Sequence, residues 1–231
     1  MWRIDADAGR AERLAAKFLS ASERERASRL VNPAHGSQFI AARAGLRAIL
    51  GELLGCAGAG IELILDANGK PRLCPRAHVA HLHFNLSHSH EYAVAAFAVH
   101  RHVGVDIEWH NPDRETARLA RRFYRPAEIA AINAEPTPAG RLAAFYRCWT
   151  RKEAYVKATG DGLRFPTRRF EVTVREDEPC RLLTVDGRPG EVARWRMEPL
   201  PVPEGYSGTI AAEGCGWSLE HHPMASGFPA A

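Results

Sequence analysis

The sequence contains no C-x-x-C pair. Its five cysteines (Cys56, Cys74, Cys148, Cys180 and Cys215) are scattered and odd in number, which excludes a disulfide framework and a cysteine zinc site and predicts a reducing, cytoplasmic setting. A long apolar run is also missing. Asp5, Asp7 and Glu12 interrupt the stretch from Met1 to Lys17, so neither a signal peptide nor a membrane span is expected. Charge of one sign is not in large excess: a net +4, without a long basic stretch interleaved with aromatics, argues against a nucleic-acid partner. No serine or cysteine nucleophile motif occurs, so covalent catalysis is not indicated, and Cys148 beside Trp149 reads as a packing residue.

What is present is the composition of a soluble globular protein, 45% hydrophobic and 25% charged, in 231 residues, enough for one large domain or two small ones. From Ala11 to Leu54, Ala, Leu, Arg and Glu recur at helical spacing, predicting two helices broken near Asn32-Pro33, the second ended by Gly55. Ile61 to Leu65 alternates like a strand and leads into Asn68-Gly69-Lys70-Pro71, a turn expected to expose Lys70. Tyr92 to Val99 and Val103 to Glu108 read as two strands joined by His100-Arg101-His102 in a hairpin. Arg114 to Arg125 and Arg141 to Thr159 read as helices, the latter stopped by Gly160 and Gly162. Short strands follow at Phe170 to Val174, Leu182 to Val185, Arg194 to Met197 and Gly208 to Ala212, and a frayed tail is expected from His221. The order of elements partly recurs between the halves, without a sequence repeat.

Side chains alternate along a strand, so in Val103-Gly104-Val105-Asp106-Ile107-Glu108 the two carboxylates share one face. Adjacent like charges raise each other's pKa unless a cation lies between them, and Mg²⁺ takes one or two carboxylates with phosphate oxygens and water. A solvated strand face would show the same pattern. On the helix from Arg141, Leu142, Phe145, Tyr146 and Trp149 form an apolar stripe that ends in Glu153, with Lys157 one turn further. A carboxylate on that side is costly without a cation, which favours a third ligand or a base, although an i, i+4 salt bridge to Lys157 is the simpler reading. Eight of the 11 histidines fall between His78 and His110, yet His81-x-His83 and His88-x-His90 are only pairs, so zinc is not expected.

Taken together, Asn68-Gly69-Lys70-Pro71, Phe84-Asn85-Leu86-Ser87-His88-Ser89, Val103-Gly104-Val105-Asp106-Ile107-Glu108 and Phe145-x-x-x-Trp149-Thr150-x-Lys152-Glu153-Ala154-x-x-Lys157 resemble the surfactin-synthetase-type 4′-phosphopantetheinyl transferases. The likeness runs from about Ser20 to Phe170. It implies an α+β, pseudo-duplicated two-lobed fold, each lobe a small antiparallel sheet packed with helices, with the active site in the cleft between them. Residues 1–105 would form the coenzyme A-contacting lobe, 106–220 the lobe carrying the metal site, catalytic helix and carrier docking, and 221–231 a tail. It further implies that Asp106, Glu108 and Glu153 bind Mg²⁺ (or Mn²⁺), with Glu153 also helping to deprotonate the carrier serine. Arg26, Lys70, Ser87, His88 and Lys157 would contact coenzyme A, Lys157 at the phosphates and Ser87-His88 near the 3′-phosphate. The chain departs from some members in having Glu23 where they carry a second cation.

The implied chemistry is transfer of phosphopantetheine from coenzyme A to a serine of an apo acyl, peptidyl or aryl carrier protein, with adenosine 3′,5′-bisphosphate leaving and no enzyme nucleophile needed. One chain supplying both lobes implies a monomer. Arg114, Arg118, Arg121, Arg122 and Arg125 form a basic stripe with Phe123 at hand, either a solvated helix face or a docking surface for acidic carriers through Arg118, Arg121, Arg122, Arg125 and Phe123. Two other readings stay open: a non-catalytic coenzyme A- or carrier-binding module, and another metal-dependent, phosphodiester-cleaving enzyme.

Overall fold

The computed structural model describes residues 1–4, 8–75, 81–160, 162 and 165–222. Seven of the eight histidines between His78 and His110 fall within these, whereas His78 and the tail beyond residue 222 lie outside the described residues. The first half contains β1 (Trp2–Arg3), α1 (Ala8–Phe18), α2 (Ala21–Ser28), α3 (Pro33–Leu54), β2 (Leu63–Leu65), β3 (Pro71–Leu73), β4 (Leu82–Ser89) and β5 (Tyr92–Val99). The second contains β6 (Val103–Trp109), α4 (Thr116–Phe123), α5 (Pro126–Asn133), α6 (Pro138–Thr159), β7 (Phe170–Val172), β8 (Leu182–Val185), α7 (Glu191–Arg194), β9 (Trp195–Pro199) and β10 (Tyr206–Glu213).

Capping chemistry sets the helix limits. Ser20 accepts from the Glu23 amide while the Glu23 carboxylate accepts from the Ser20 amide, a reciprocal cap that starts α2 and splits the expected first helix into α1 and α2. Asn32 and Thr137 cap α3 and α6, each followed by proline at the first turn, and Gly55 and Gly160 close them in the left-handed region. The two 22-residue helices therefore begin and end alike, each covering a three-stranded antiparallel sheet ordered β1-β5-β4 or β6-β10-β9. This is the duplicated α+β architecture, carried by caps and layers rather than by repeated sequence.

The predicted hairpin between residues 92–99 and 103–108 does not form. β5 pairs with β4, from Ser89 opposite Tyr92 to Leu82 opposite Val99, through a tight turn where His90 has φ 51°. β6 pairs instead with β10, from Trp109 opposite Tyr206 to Val103 opposite Ala212. The unforeseen strand was β4, and residues 100–102 carry the chain from one sheet to the other. Because β6 pairs along its whole length, the expected division between residues 105 and 106 falls inside a strand. The expected helix from Arg114 to Arg125 is also shorter: Pro126 forces Arg125 into extended backbone, so α4 stops at Phe123 and α5 begins anew.

One face of β6 (Val103, Val105 and Ile107) packs with Val94, Ala96, Ile210 and Ala212 between the sheets. Its other edge meets β4 through side chains instead of a backbone ladder. Asn85 Oδ1 accepts from the Val105 amide at 2.7 Å, Ser87 Oγ from Ile107 at 3.4 Å and Ser89 Oγ from Trp109 at 3.1 Å. The opposite face of β6 lies under α6, whose packing core includes Phe145, Tyr146, Tyr155, Phe170 and Trp195. At Gly104 the helix backbone comes so close that a Cβ would stand 2.2 Å from the Ala154 carbonyl oxygen and 2.3 Å from the Ala158 nitrogen. Neither obstacle is a flexible side chain, so Gly104→Ala is expected to destabilise the fold by about 3 kcal/mol or more, read as a lower urea midpoint. A midpoint equal to that of the unmutated protein would show that α6 can lift off β6 at no cost.

Candidate active site

The β6 face under α6 is where the acids meet. Asp106 is only 2% exposed. Its Oδ1 accepts from Ser87 Oγ at 2.8 Å and from Lys157 Nζ at 2.6 Å, while its buried Oδ2 has no hydrogen-bond partner among the described residues. Burial pushes the Asp106 pKa up, against the pull of Lys157 and Ser87. Glu108 follows on the same face with Oε2 accepting from Ser89 Oγ at 2.8 Å, and burial together with the Asp106 charge raises its pKa to about 7. Glu153, half-buried on α6, is raised by burial and then by Asp106, with Lys157 opposing. Asp106 is thus the charge that both glutamates feel. Among the described residues, however, no three His, Cys, Asp or Glu side chains gather closely enough to hold a metal ion by themselves. The structure brings Asp106 and Glu108 together as neighbours and sets Glu153 facing them from the helix, short of a closed three-acid cage.

The other expected site residues divide. Ser87 Oγ accepts from both the Ile107 amide and Lys157 Nζ (3.0 Å) and donates to Asp106, which uses its one proton and both lone pairs. In this arrangement it has nothing left for a phosphate. His88 points the other way along β4, with an exposed ring and a lowered pKa. Loss of hydration lowers it, and the positive charges of Lys157, Arg43 and His35 add to the shift. Arg26 is exposed and lies over the Phe39 ring at 5.3 Å, with Arg43 over the same ring at 5.6 Å. Glu23, where a second cation was absent from the sequence pattern, is consumed by an ion pair of 2.6 Å with Arg47 and one of 3.4 Å with Arg43. Lys70 is not exposed at its turn as expected. Its ammonium turns inward, donating to the Lys157 carbonyl at 2.7 Å and to that of Val103 at 3.4 Å, and so ties the β2–β3 turn to α6 and β6.

Arg118, Arg121 and Arg122 are exposed on α4, Arg118 pairing with Glu115 at 3.2 Å. Arg125, expected on the same surface, is instead drawn into the fold by Asp186 at 3.0 Å and Glu171 at 3.8 Å. Phe123 packs edge-on against Trp149 and lines, with Arg122, Trp149, Glu153, Val156 and Phe165, a cavity of about 210 Å³ beside the catalytic-helix acid. The rings of His81 and His83 lie tilted against those of His100 and His102, with centroids 4.2 and 4.7 Å apart.

Several neighbours of the site were missed in the sequence. Arg43, 7% exposed, keeps its Nε buried without a hydrogen bond among the described residues, and burial lowers its pKa while Glu23 opposes the shift. Lys152, adjacent to Glu153, is buried against Glu128 at 2.8 Å and also donates to the carbonyls of Thr167 at 2.8 Å and Phe170 at 2.7 Å. Glu128 in turn accepts from the amides of Val172 and Arg125, so this buried pair is fully hydrogen-bonded and anchors the wall of the cavity. A lysine inside a helical apolar stretch signals such a partner, but only the fold names it. For Asn85 and Ser89 the signal was present: polar residues at every second position opposite the apolar Phe84 and Leu86.

Comparison with known proteins identifies the family. The family model described as the 4′-phosphopantetheinyl transferase superfamily matches residues 102–211. The 4′-phosphopantetheinyl transferase HetI of Nostoc sp. is 35% identical, over 94% of this chain and 88% of its own. The chain belongs to the 4′-phosphopantetheinyl transferase superfamily. A 4′-phosphopantetheinyl transferase of Bacillus subtilis is 30% identical over 78% of this chain and 81% of its own. Among solved structures, the holo-[acyl-carrier-protein] synthase of Thermotoga maritima is 18% identical with a TM-score of 0.38, covering 49% of this chain and 62% of that one. For a phosphopantetheinyl transferase the acids, Lys157 and the α6 motif all fall inside the matched region, whereas Arg26, Lys70 and the β4 residues lie before it.

Burial lowers the Lys70 pKa from 10.5 to about 8, with Lys157 and Arg72 adding to the shift and Asp66 opposing it. Between those two values the unfolded chain binds the proton more tightly than the folded one, so the cost of the buried charge is fully present below pH 8 and relieved as pH rises through 8 towards 10.5. Unfolding free energies of the wild type relative to Lys70→Met are therefore expected to rise by about 2 kcal/mol across that window. A flat or falling difference would show the ammonium to be hydrated.

Proposed function

We propose that the chain transfers the 4′-phosphopantetheine arm of coenzyme A to a serine hydroxyl of an apo carrier protein in a Mg²⁺-dependent reaction that releases adenosine 3′,5′-bisphosphate. The observation that carries this reading is the buried Asp106–Glu108 pair, with an unpartnered Asp106 Oδ2, set beside Lys157 at the junction of the two sheets. Two adjacent, poorly hydrated carboxylates fit a hard divalent cation, Mg²⁺ or Mn²⁺, that completes its shell with phosphate oxygens and water. Asp106 and Glu108 would hold it, with Glu153 in reach once a phosphate fills the gap. When bound, such an ion neutralises charge on the pyrophosphate and on the leaving oxygen.

The remaining work belongs to side chains. Arg26, exposed over Phe39, and His88, exposed near the end of β4 with the buried Arg43 as a positive neighbour, offer an anion-binding surface suited to the phosphates of coenzyme A. Lys157, held at Asp106, offers its ammonium to the pyrophosphate. The cavity beside Glu153 gives the apolar part of the pantetheine arm a dry wall of Phe123, Trp149, Val156 and Phe165. Glu153 takes the serine proton as the serine oxygen forms its bond to the β-phosphorus and the bridging P–O bond to the α-phosphate breaks, the electron pair leaving on adenosine 3′,5′-bisphosphate. Arg118, Arg121 and Arg122 present positive charge to an acidic carrier, with Arg125 contributing at most from the edge. Both lobes come from one chain, which fits a monomer. Five free thiols fit the reducing cytoplasm.

Intact-protein mass spectrometry of several apo carriers incubated with the protein, coenzyme A and Mg²⁺ is expected to show a gain of one phosphopantetheine, lost without metal and lost in Glu153→Ala. Failure to modify any carrier, despite measurable coenzyme A binding, would favour a silent binding module, and metal-dependent cleavage of a phosphodiester would favour a hydrolytic enzyme. In the same assay, reversing Arg118 and Arg122 to Glu is expected to raise the KM for carrier about ten-fold or more while changing that for coenzyme A little. Equal effects on both would remove α4 from the docking surface.

A further inference from the structure

The hydroxyl of Ser89 is held in one polarity. The Trp109 amide can only donate to it, at 3.1 Å, and the ionised Glu108 carboxylate can only accept from it, at 2.8 Å. Its proton is therefore aimed at Glu108 Oε2 by a backbone group of the very strand that carries Glu108. Ser87 repeats the device two residues earlier, accepting from Ile107 and donating to Asp106. Each acid of the D-x-E pair is thus pinned by a serine from β4, and each serine is oriented by the amide of the residue after that acid. Asn85 completes the row by accepting from Val105, but it touches no carboxylate.

We propose that Ser89 is a positioning residue for the metal-binding role of Glu108: it fixes Oε2 and so leaves Oε1 as the oxygen presented to the cation. Unlike Ser87, it makes no contact with Lys157 among the hydrogen bonds of the site, so its effect runs through Glu108. A freely rotating Glu108 would spread its two oxygens over several rotamers. Partners that orient a metal-binding group in this way change metal affinity by about 10- to 100-fold.

The inference rests on the metal-site reading above, and Mn²⁺ binding separates the two. Free Mn²⁺ is followed by electron paramagnetic resonance as it is titrated into the full chain with coenzyme A present, alongside Ser89→Ala, Ser89→Thr and Asn85→Ala. Ser89→Ala is expected to weaken Mn²⁺ binding about ten-fold, Ser89→Thr to restore it because the hydroxyl is kept, and Asn85→Ala to lower thermal stability with Mn²⁺ affinity unchanged. In the transfer reaction, raising the metal concentration should recover most of the activity lost in Ser89→Ala. Mn²⁺ affinity of Ser89→Ala within two-fold of the wild type would overturn the positioning role while leaving the metal site standing. An equal loss in Asn85→Ala would also overturn it, since loosening of the seam would then account for the effect. A wild-type protein that retains no Mn²⁺ would remove the metal reading itself, and the inference with it.

Discussion

The structure depends on how the free edge of β6 is satisfied. An unpaired strand edge presents amides that must find acceptors when buried, and the usual solution is another strand. Here β4 lies alongside but offers the side chains of Asn85, Ser87 and Ser89 instead of a backbone ladder, while its own ladder runs to β5. The two sheets are therefore joined without merging into one. This leaves side-chain hydroxyls at the seam, where a backbone ladder would have left none. Those hydroxyls are what make it tolerable to bury Asp106 and Glu108 beside one another.

Tolerable is not comfortable. Each carboxylate loses hydration, and Asp106 also acts on both glutamates, so the site holds more negative charge than its one nearby ammonium offsets. Lys157 bonds to one oxygen of Asp106 and leaves the other without a partner. Elsewhere in the same helix the chain shows that it can satisfy a buried charge in full: Lys152, one residue from Glu153, uses every donor on Glu128 of α5 and two backbone carbonyls, and Glu128 adds two backbone amides. The contrast along α6 separates a fully satisfied structural ion pair from a cluster of acids satisfied only in part.

Local chemistry was readable to the extent that it is local. The shared face of Asp106 and Glu108 follows from strand alternation, and the caps of α3 and α6 from Asn-Pro, Thr-Pro and glycine. The false hairpin arose because two apolar runs close in sequence look like partners, whereas pairing was decided by β10, some hundred residues away, and by the unforeseen β4. Arg125 and Lys70 were misplaced for a related reason. A charged residue at a turn or helix end reads as exposed until the fold supplies Asp186 or two open carbonyls. Glu23 shows the reverse case: a departure from the family pattern that the structure accounts for as the counter-charge of Arg43 and Arg47.

The close approach at Gly104 links these features. Only with the helix backbone against β6 does Lys157 reach Asp106 and Glu153 face it, while Lys70 clamps that same end of α6 from the other lobe. The distance between helix and strand is thus fixed from both sides, by a missing side chain on β6 and by an ammonium from the β2–β3 turn. A cation or phosphate entering the gap meets walls that cannot open without breaking backbone contacts. Its binding energy is therefore available to replace repulsion between the acids rather than being spent on closing the cleft, which is the condition for electrostatic preorganisation in phosphoryl transfer.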